Sequence, residues 1–286
     1  MKTIQDTELI ITQNKKIYHL NLDKEQIADD IILVGDQDRV HQISKHFEEI
    51  TEKVQHREFV THTGTYKGKK ITALSTGIGC DNIDIVINEL DALVNIDLEK
   101  RIIKSEKKSL NLIRLGTSGA LQNDIPIDSF LMSKYAIGFD GLAHFHKNTE
   151  NIEKEMTQEF IKHSNWPDKL SEPYIIKASD NLLEKFNRFS KGITATSSGF
   201  YAPQGRELRL KSAIPNMHQS LNTFNYNDNK ITNFEMESSA LYYLGQTLGH
   251  NTLTICAIIG NRINKTQSKD YKSTIDKLIL KVLEII

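Results

Sequence analysis

The sequence predicts an α/β domain in which buried strands alternate with amphipathic helices. Short apolar runs rich in β-branched residues recur along the chain, and several lead through a turn into a segment with helical spacing of its apolar residues. A length of 286 residues is ample for a full hydrophobic core. No low-complexity tract or interior linker divides the chain, so residues 1–286 are expected to form a single domain.

The composition argues against several classes of protein. The 36 Lys and Arg residues nearly balance the 37 Asp and Glu residues, which leaves no electrostatic reason to expect binding to nucleic acid or to a membrane surface. Cys80 and Cys256 fit neither a disulfide framework nor a zinc or redox spacing, so we expect buried free thiols and no metal site. The sequence carries no signal peptide and no apolar run of about 18 residues, which predicts a soluble, cytoplasmic protein.

The first candidate site follows an early strand. Residues 31–34 are apolar and lead into Gly35, and an amphipathic helix with Val40, Ile43 and Phe47 on one face begins shortly afterwards. Backbone N–H groups at such a strand–helix turn can bind an anion. One glycine is weak evidence, because many strand–helix turns contain one.

The segments around this site are predicted from their local patterns. A hairpin with its tip at residues 63–70 returns through a strand at 71–75 to a helix over 83–93. Residues 97–108 are highly charged and predict a solvated loop or helix end. The chain closes with an apolar helix at 275–286.

An arginine interrupts the next strand. Residues 110–115 are otherwise apolar but include Arg114, and arginine is rarely buried without a partner. The Gly-Thr-Ser-Gly sequence at 116–119 predicts a turn that offers backbone donors and two hydroxyls. A phosphate or oxyanion site and a buried structural salt bridge are both compatible with this pattern.

A loop after the strand predicted at 193–198 gathers Phe200, Gln204 and Arg206. An aromatic ring, an amide and a guanidinium can together stack on a flat heterocycle and hydrogen-bond to its edge. A solvated turn is the alternative. The flanking segments 147–191 and 211–230 are polar and irregular, and the second is expected to be a loop over the site.

Two carboxylates stand near the start of a predicted helix. Residues 233–240 open this helix, which precedes a buried strand at 252–259. Acidic residues suit the positive end of a helix dipole, which would explain Glu235 and Glu237 without any function. The alternative is a sugar clamp, in which a carboxylate binds two ribose hydroxyls and Met236 lies under the apolar face of the ribose.

Seven short motifs in order make the chain resemble the nucleoside phosphorylase family (the purine/uridine phosphorylase superfamily), and most closely its uridine phosphorylases. Each motif alone is weak, but together with a match at Tyr-His-Leu 18–20 they extend from Tyr18 to Arg262 and cover nearly the whole chain. The motifs are Leu-Val-Gly-Asp at 33–36 with Arg39, His-Arg-Glu-Phe at 56–59, Ser-Thr-Gly-Ile-Gly at 75–79, Ile-Arg-Leu-Gly-Thr-Ser-Gly at 113–119, the loop at 200–206, Glu-Met-Glu-Ser at 235–238 and Asn-Arg at 261–262.

The resemblance implies a fold and a reaction. The fold would be one α/β domain with a distorted mixed sheet, a barrel-like core and flanking helices in a Rossmann-like arrangement. The reaction would be cleavage of the N-glycosidic bond of uridine by phosphate, giving uracil and ribose 1-phosphate. Such a pentosyltransferase uses inorganic phosphate as co-substrate and no cofactor. The implied assembly is a homodimer or a homohexamer built as a trimer of dimers.

The resemblance also implies roles for individual residues. The catalytic residues are Arg114, Gln204, Arg206 and Glu237. The phosphate ligands are Gly35, Arg39, Arg57, Arg114 and Thr117. The ribose ligands are His19, Glu235, Met236 and Glu237. The base ligands are Phe200, Gln204, Arg206, Ile259 and Arg262. Arg57 and His19 would enter from a neighbouring subunit, although His19 alone is typical of a surface histidine.

Several departures from the family pattern concern the base. Ala202 and Pro203 stand where uridine enzymes of the family commonly have Pro-Gly, and Gly205 stands where many relatives have Glu. Gly260 replaces a bulkier residue of the base pocket, and residues 209–230 do not match closely. These differences bear on which base is bound and leave the reaction type unchanged.

Three alternative functions remain open at this stage. A purine nucleoside phosphorylase is the nearest, although related purine enzymes carry an Asp where this chain has Gly-Asn-Arg at 260–262. A nucleosidase that uses water would not need Arg39, Arg57 and Arg114 together. A nucleoside-binding protein without turnover would keep the fold, but an intact set of site residues argues against it.

Overall fold

The computed structural model describes residues 3–286, and over this range the chain forms a large mixed sheet flanked by helices. The strands are β1 (Asp30–Val34), β2 (Glu49–His56), β3 (Phe59–Tyr66), β4 (Lys69–Ser75), β5 (Ile96–Asp97), β6 (Ile102–Ile103), β7 (Asn111–Ala120), β8 (Phe130–Gly138), β9 (Tyr174–Lys177), β10 (Ser190–Thr196), β11 (Asn225–Tyr226), β12 (Asn229–Glu235), β13 (Asn251–Asn261) and β14 (Thr266–Gln267). The helices are α1 (Gln37–Ser44), α2 (Cys80–Asn95), α3 (Lys154–Ser164), α4 (Asp180–Lys185), α5 (Met217–Thr223), α6 (Ser238–Thr247) and α7 (Tyr271–Leu283).

The main sheet closes on itself in its second half. Its strand order is β11-β12-β10-β8-β13-β7-β1-β4-β3-β2, and β12 also pairs antiparallel with β7, where Phe234 lies opposite Gly119. Strands β7, β13, β8, β10 and β12 therefore form a ring, while β1 to β4 extend from it as an open sheet. This arrangement confirms the expected α/β fold with a barrel-like core.

Four parallel strands end at one edge of the sheet. Leu33 of β1 pairs with Leu74 of β4 and with Arg114 of β7, and Arg114 in turn pairs with Thr254 of β13. Parallel strands bring their carboxyl ends together, and ligands commonly bind at that edge of an α/β sheet. The turns that follow these strands hold most of the predicted site residues.

Apolar side chains hold the sheet and helices together. All five residues of β1 are buried, as expected for a strand covered on both faces. Helix α2 begins after Gly79, packs against α6, and buries a face that includes Ile83 and Leu90, inside the helix predicted at 83–93. Cys80 and Cys256 are both buried and free, as predicted. No helix within residues 3–286 is long and apolar enough to cross a membrane.

Two predictions next to the site were wrong. Residues 116–119 form no turn, because β7 continues through them to Ala120 and pairs with β13 and β12. Residues 233–235 belong to β12 rather than to a helix, because they pair with strand β10. Helix α6 begins only at Ser238, so Glu235 ends a strand and Glu237 is the N-cap of the helix.

Other predicted loops contain regular structure. The segment 147–191 includes α3, β9 and α4, and the segment 211–230 includes α5 and β11. The charged segment 97–108 contributes the second strand of the short β5–β6 hairpin. Strand β9 pairs with β8, about 40 residues earlier, whereas β6 and β11 pair with the strands next to them in the sequence. The predicted last helix is α7, which ends at Leu283.

Candidate active site

A cavity of about 1240 Å³ opens at the carboxyl ends of β1, β4, β7 and β13. It is bounded by the turn after β1, the second half of β7, the loop after β10 and the junction of β12 with α6. Twelve of the fourteen predicted site residues line it. They are Gly35, Arg39, Arg114, Thr117, Phe200, Gln204, Arg206, Glu235, Met236, Glu237, Ile259 and Arg262.

Two guanidiniums come together at one end of the cavity. Arg39, in the first turn of α1, is buried and donates from Nη1 to the carbonyl oxygen of Leu115 at 3.3 Å. Burial lowers the pKa of Arg39, and the positive charge of Arg114 lowers it further. Thr117 lines the same part of the cavity. Arg39 has no carboxylate partner among residues 3–286, and an unpaired guanidinium beside a hydroxyl favours a bound anion such as phosphate.

Arg114 is buried and ion-paired, yet it keeps unused donors. Its Nη2 donates to Glu237, and its Nη1 lies 3.2 Å from Oε2 of Glu235. Burial acts to lower the pKa of Arg114, but the two carboxylates outweigh it and raise the pKa above its usual value. Nε and Nη1 are buried and have no aligned hydrogen-bond acceptor within residues 3–286. Of the two alternatives that the sequence left open, the salt bridge is therefore present, and the anion site stays a prediction.

Gly116 makes room for this guanidinium. A Cβ atom at Gly116 would lie 2.1 Å from Nη1 of Arg114, closer than any non-bonded contact allows. We predicted a turn at this glycine. It lies in strand β7 instead, and its missing side chain leaves space for the guanidinium of Arg114, two residues earlier.

The two carboxylates differ in how many hydrogen bonds their oxygens already accept. Oε1 of Glu235 accepts from the hydroxyl of Thr196 at 2.6 Å, and Oε2 accepts from the N–H of Glu237 at 2.9 Å. The N–H of Ser238 reaches both oxygens, at 3.1 and 3.0 Å. With Arg114 close to Oε2, this carboxylate has little remaining capacity to accept. Glu235 thus fixes the start of α6 and the guanidinium beside it.

Glu237 has acceptor capacity to spare. Oε1 accepts one N–H, from Gly79 at 2.8 Å, and Oε2 accepts from Arg114. Burial raises the pKa of Glu237, with Arg114 opposing and Glu235 adding to the shift. Gly79 has φ of 99°, a backbone conformation that favours glycine, so the donor depends on that residue type. Of the two carboxylates, Glu237 therefore has the greater remaining capacity to accept hydrogen bonds, and Met236 lines the cavity between them.

The opposite end of the cavity is cationic without a carboxylate partner. The guanidinium carbon of Arg206 lies 3.6 Å from the ring centre of Phe200, and its Nη1 donates to Oε1 of Gln204. Nη1 of Arg262 donates to the backbone carbonyl of Gln204 at 2.7 Å. Burial and the charge of Arg206 lower the pKa of Arg262 to about 10. Neither arginine forms an ion pair with any residue between 3 and 286.

Asn261 and Gly260 shape the wall beside this cationic end. The amide nitrogen of Asn261 donates to the carbonyls of Gln122 and Ile125 at 2.8 and 2.9 Å, so this side chain is used within the wall. A Cβ at Gly260 would meet only the carbonyl oxygen of Thr266, at 3.5 Å. The backbone at Gly260 could therefore carry a side chain, and its absence widens the cavity.

His19 and Arg57 do not line the cavity of their own chain. Nδ1 of His19 lies 2.6 Å from Oε1 of Glu89, and Arg57 is exposed and donates to the hydroxyl of Tyr18 at 3.0 Å. The ring of Tyr18 lies between them, with its centre 4.9 Å from that of His19 and 5.2 Å from the guanidinium carbon of Arg57. The two residues thus share one surface patch, and their contribution to a neighbouring site stays a prediction.

Several residues around the cavity were not predicted from the sequence. Thr196 and Gly79 hold the two carboxylates, and His218 of α5 contacts the side chain of Arg262. Thr196 and His218 lie in segments without a recognisable motif, so only their position in the fold reveals them. Among residues 3–286, no cluster of three or more His, Cys, Asp or Glu side chains is arranged to hold a metal ion.

Comparison with known proteins gives consistent matches. The model of the Phosphorylase superfamily matches residues 29–285. A uridine phosphorylase of Thermococcus kodakarensis is 31% identical over 261 residues, which are 90% of this chain and 82% of that protein. A DeoD-type purine nucleoside phosphorylase of Clostridium novyi is 27% identical over 270 residues, covering 93% of this chain and 98% of its own.

A solved structure is also similar over almost its full length. The crystal structure of a Trypanosoma brucei nucleoside phosphorylase, described as showing uridine phosphorylase activity, has a TM-score of 0.86 to this chain at 28% identity. The match covers 97% of this chain and 98% of that one. The family resemblance of the sequence is thereby confirmed. The chain belongs to the phosphorylase superfamily and is a pentosyltransferase.

Proposed function

We propose that this protein cleaves the N-glycosidic bond of uridine with inorganic phosphate and releases uracil and ribose 1-phosphate, without a cofactor. The observation that supports this choice most directly is the cationic end of the cavity, where Arg206 and Arg262 converge on Gln204 with no carboxylate partner. A departing uracil carries negative charge on its carbonyl oxygens and ring nitrogen. Cationic donors stabilise that charge more than they stabilise neutral uridine, and such a difference accelerates a reaction.

Phosphate would bind at the other end. Arg39, Arg114 and Thr117 supply positive charge and donors there, and Nε and Nη1 of Arg114 have no aligned acceptor within residues 3–286. A phosphate oxygen forms the new bond to the anomeric carbon while the glycosidic electron pair leaves with the base, which then takes up a proton. No nucleophilic side chain is required, so the protein acts by positioning and by electrostatic stabilisation.

Ribose would lie between these ends on Glu237 and Met236. The spare acceptor capacity of Glu237 suits two adjacent hydroxyls, and the Met236 side chain supplies an apolar surface. The attacked carbon gains positive character in the transition state. A buried carboxylate beside it favours that charge as well as orienting the sugar.

A purine nucleoside phosphorylase is the second candidate, and Gly260 is the observation that favours it. The missing side chain widens the base end, which would help a two-ring base to fit. Asn261 argues the other way, because its amide is used within the wall and carries no acidic proton for a purine. Both candidates share the same phosphate and ribose sites.

A nucleoside panel with and without phosphate tests the proposed function. Uridine should be cleaved only when phosphate is present, and its kcat/KM should exceed those of inosine and adenosine. Equal rates in the absence of phosphate would identify a nucleosidase. A higher kcat/KM for inosine or adenosine would assign the protein to purines, and no turnover of any nucleoside would leave a binding function.

We also propose that the site is shared between two subunits, with Arg57 and His19 supplied by the neighbour. Their common surface patch around Tyr18, outside the cavity of their own chain, supports this arrangement. A two-fold dimer would supply both sites reciprocally.

Complementation between Arg57→Ala and Arg114→Ala tests the shared site. Each variant alone should be nearly inactive. In a mixed dimer one site has both arginines intact, so random co-expression should restore roughly a quarter of wild-type activity. If proven mixed dimers stay inactive, both arginines act within one chain and the shared site is wrong.

A further inference from the structure

We propose that His218 is a positioning residue for base recognition, which holds the Arg262 side chain and the Gln204–Arg206 turn in place through its imidazole. The role rests on the proposed function, because these residues matter only if they bind the base. His218 lies on α5, a helix that was expected to be an irregular loop.

The imidazole contacts both parts of the base end. Nε2 of His218 lies 2.8 Å from Nη1 of Arg262, and that same nitrogen of Arg262 donates to the carbonyl of Gln204. Nε2 also lies 3.3 Å from the carbonyl oxygen of Gly205. A Cβ at Gly205 would be only 2.6 Å from Nε2, so the ring packs directly against the turn between Gln204 and Arg206.

The chemistry of this contact requires a neutral imidazole. A guanidinium has donors only, so in its hydrogen bond with Arg262 Nε2 of His218 is the acceptor and the ring proton sits on Nδ1; in this tautomer the ring meets the carbonyl of Gly205 by packing and not by a hydrogen bond. Nδ1 is buried and has no hydrogen-bond partner within residues 3–286. Protonation would place an N–H at Nε2 opposite the N–H of Arg262. The contact would then change from an attraction to a repulsion between two cations.

The surroundings oppose that protonation. The charged groups that act on the ring are Arg262, after β13, and Arg206, in the loop after β10, and both are positive. From β12, Phe234 offers only its ring, with the centres 6.3 Å apart. Burial, Arg262 and Arg206 lower the pKa of His218, although the carbonyl of Gly205 acts against them.

A pH dependence follows from the direction of this shift. Because the pKa of His218 lies below the ordinary histidine value, the ring is neutral at neutral pH and its contact with Arg262 is complete. As the pH falls below about 6.5, the protonated fraction grows and the contact is lost. Recognition of uridine should then weaken, while phosphate binding at the other end of the cavity should not follow the same titration.

Two substitutions distinguish a hydrogen-bonding role of His218 from a role in packing alone. His218→Gln retains an acceptor near the position of Nε2 but cannot titrate, and His218→Phe keeps a ring but has no acceptor. The control is His163→Gln. His163 buttresses the same helix through the carbonyl of Ser220 and the hydroxyl of Thr223, at 3.0 and 3.1 Å, away from the base-reading residues.

The measurement is kcat/KM for uridine at saturating phosphate from about pH 5 to pH 8, with kcat/KM for phosphate alongside. We expect His218→Phe to lose about tenfold in uridine kcat/KM at neutral pH, as for a lost hydrogen bond to a charged group. His218→Gln should be active, and its rate relative to wild type should rise as the pH falls, for uridine but not for phosphate. The relative rate of His163→Gln should be independent of pH.

Three results would count against the role. A His218→Gln variant with the same pH profile as wild type overturns it, and so does a His218→Phe variant with full uridine kcat/KM. If His218→Phe does not fold, the profile of His218→Gln still decides the matter. A wild-type protein that cleaves no uridine at any pH would overturn the proposed function, and this role with it, which is a different outcome from unchanged profiles.

Discussion

The two ends of the cavity use arginine in opposite ways. At the end proposed to bind phosphate, Arg114 projects from a central strand and is paired with Glu235 and Glu237. At the base end, Arg206 and Arg262 are held by an amide, two backbone carbonyls and an aromatic ring, without a carboxylate. One end is compensated in charge and built on the sheet. The other is uncompensated and depends on a loop.

Because of this difference, the arginine at one end contributes to the stability of the fold, whereas the arginines at the other end contribute to base selectivity. A buried guanidinium with carboxylate partners is part of the fold, and removing it leaves uncompensated charge in the interior. A cation on a loop adds little to the fold but can attract a base that becomes negative as it departs. Changes at the two ends should therefore differ in how they divide their effect between unfolding and catalysis.

Arg114→Ala should have the largest effect. It should lower both kcat/KM and the free energy of unfolding. We expect a loss of at least about a hundredfold in kcat/KM, on the order of 3 kcal/mol of transition-state stabilisation. Glu235 and Glu237 would be left as buried unpaired acids, so the free energy of unfolding should fall by about 3–5 kcal/mol. Urea unfolding and a phosphorolysis assay measure the two quantities. The control is Arg188→Ala, which removes an exposed arginine. An unchanged unfolding midpoint for Arg114→Ala would contradict the comparison.

Arg206→Ala should affect catalysis alone. Uridine kcat/KM should fall by about ten- to a hundredfold, because one of the donors for the leaving base is lost. Stability should change by no more than about 0.5 kcal/mol, since the side chain has no carboxylate partner and lies on a loop. The KM for phosphate should be unchanged. Lys211→Ala is the matched control, an exposed cation of the same loop that pairs with Glu207. A drop in stability similar to that of Arg114→Ala would erase the distinction between the two ends.

Thr196→Val should have the smallest effect on activity. It tests a single contact at the end of the cavity where Arg114 is paired with carboxylates. Its hydroxyl donates to Glu235 and accepts from the N–H of Ser239 at 3.1 Å, so the isosteric change leaves a buried acceptor and a buried donor each short of one hydrogen bond. We expect about 1–3 kcal/mol of lost stability and a several-fold lower kcat/KM, because Glu235 orients Arg114.

The control for this substitution lies on the same strand. Thr194 is equally buried on β10, and its hydroxyl donates to Asn233 at 3.0 Å without touching Glu235 or Glu237. Thr194→Val should lose stability to a similar degree and keep wild-type kcat/KM. Equal activity of the two valine variants would contradict the role of Thr196 in positioning Glu235 and Arg114.

Local sequence patterns predicted the strands and turns that bear the site, but not the contacts across it. The run at 31–34 and its glycine turn could be read because a buried strand and its turn have local signatures. The error at 116–119 arose because glycine usually marks a turn, whereas Gly116 makes space for Arg114 in a strand. The error at 233–235 arose because pairing with β10 is invisible in the local pattern.

Residues of the base end show the same limit. The residue types of Phe200, Gln204 and Arg206 in one loop suggested a heterocycle site, with a solvated turn as the alternative, and the family resemblance supplied their base role; all three line the cavity. His218 could not be found in this way, since its contact with Arg262 joins segments 44 positions apart. The family resemblance supplied the roles of His19 and Arg57, and those roles stay predictions.

The hydrogen bond from Gly79 to Glu237 joins residues 158 positions apart, and the ion pair of Arg114 with Glu237 spans 123. Closing such long loops is slow, so contacts of this kind form late when a chain folds. Glu237 thus acquires both of these partners only when β12 and α6 dock onto the first half of the chain. During refolding, helical signal should recover before catalytic competence. Substrates that bind only the finished cavity should preferentially stabilise the fully folded enzyme and slow its unfolding.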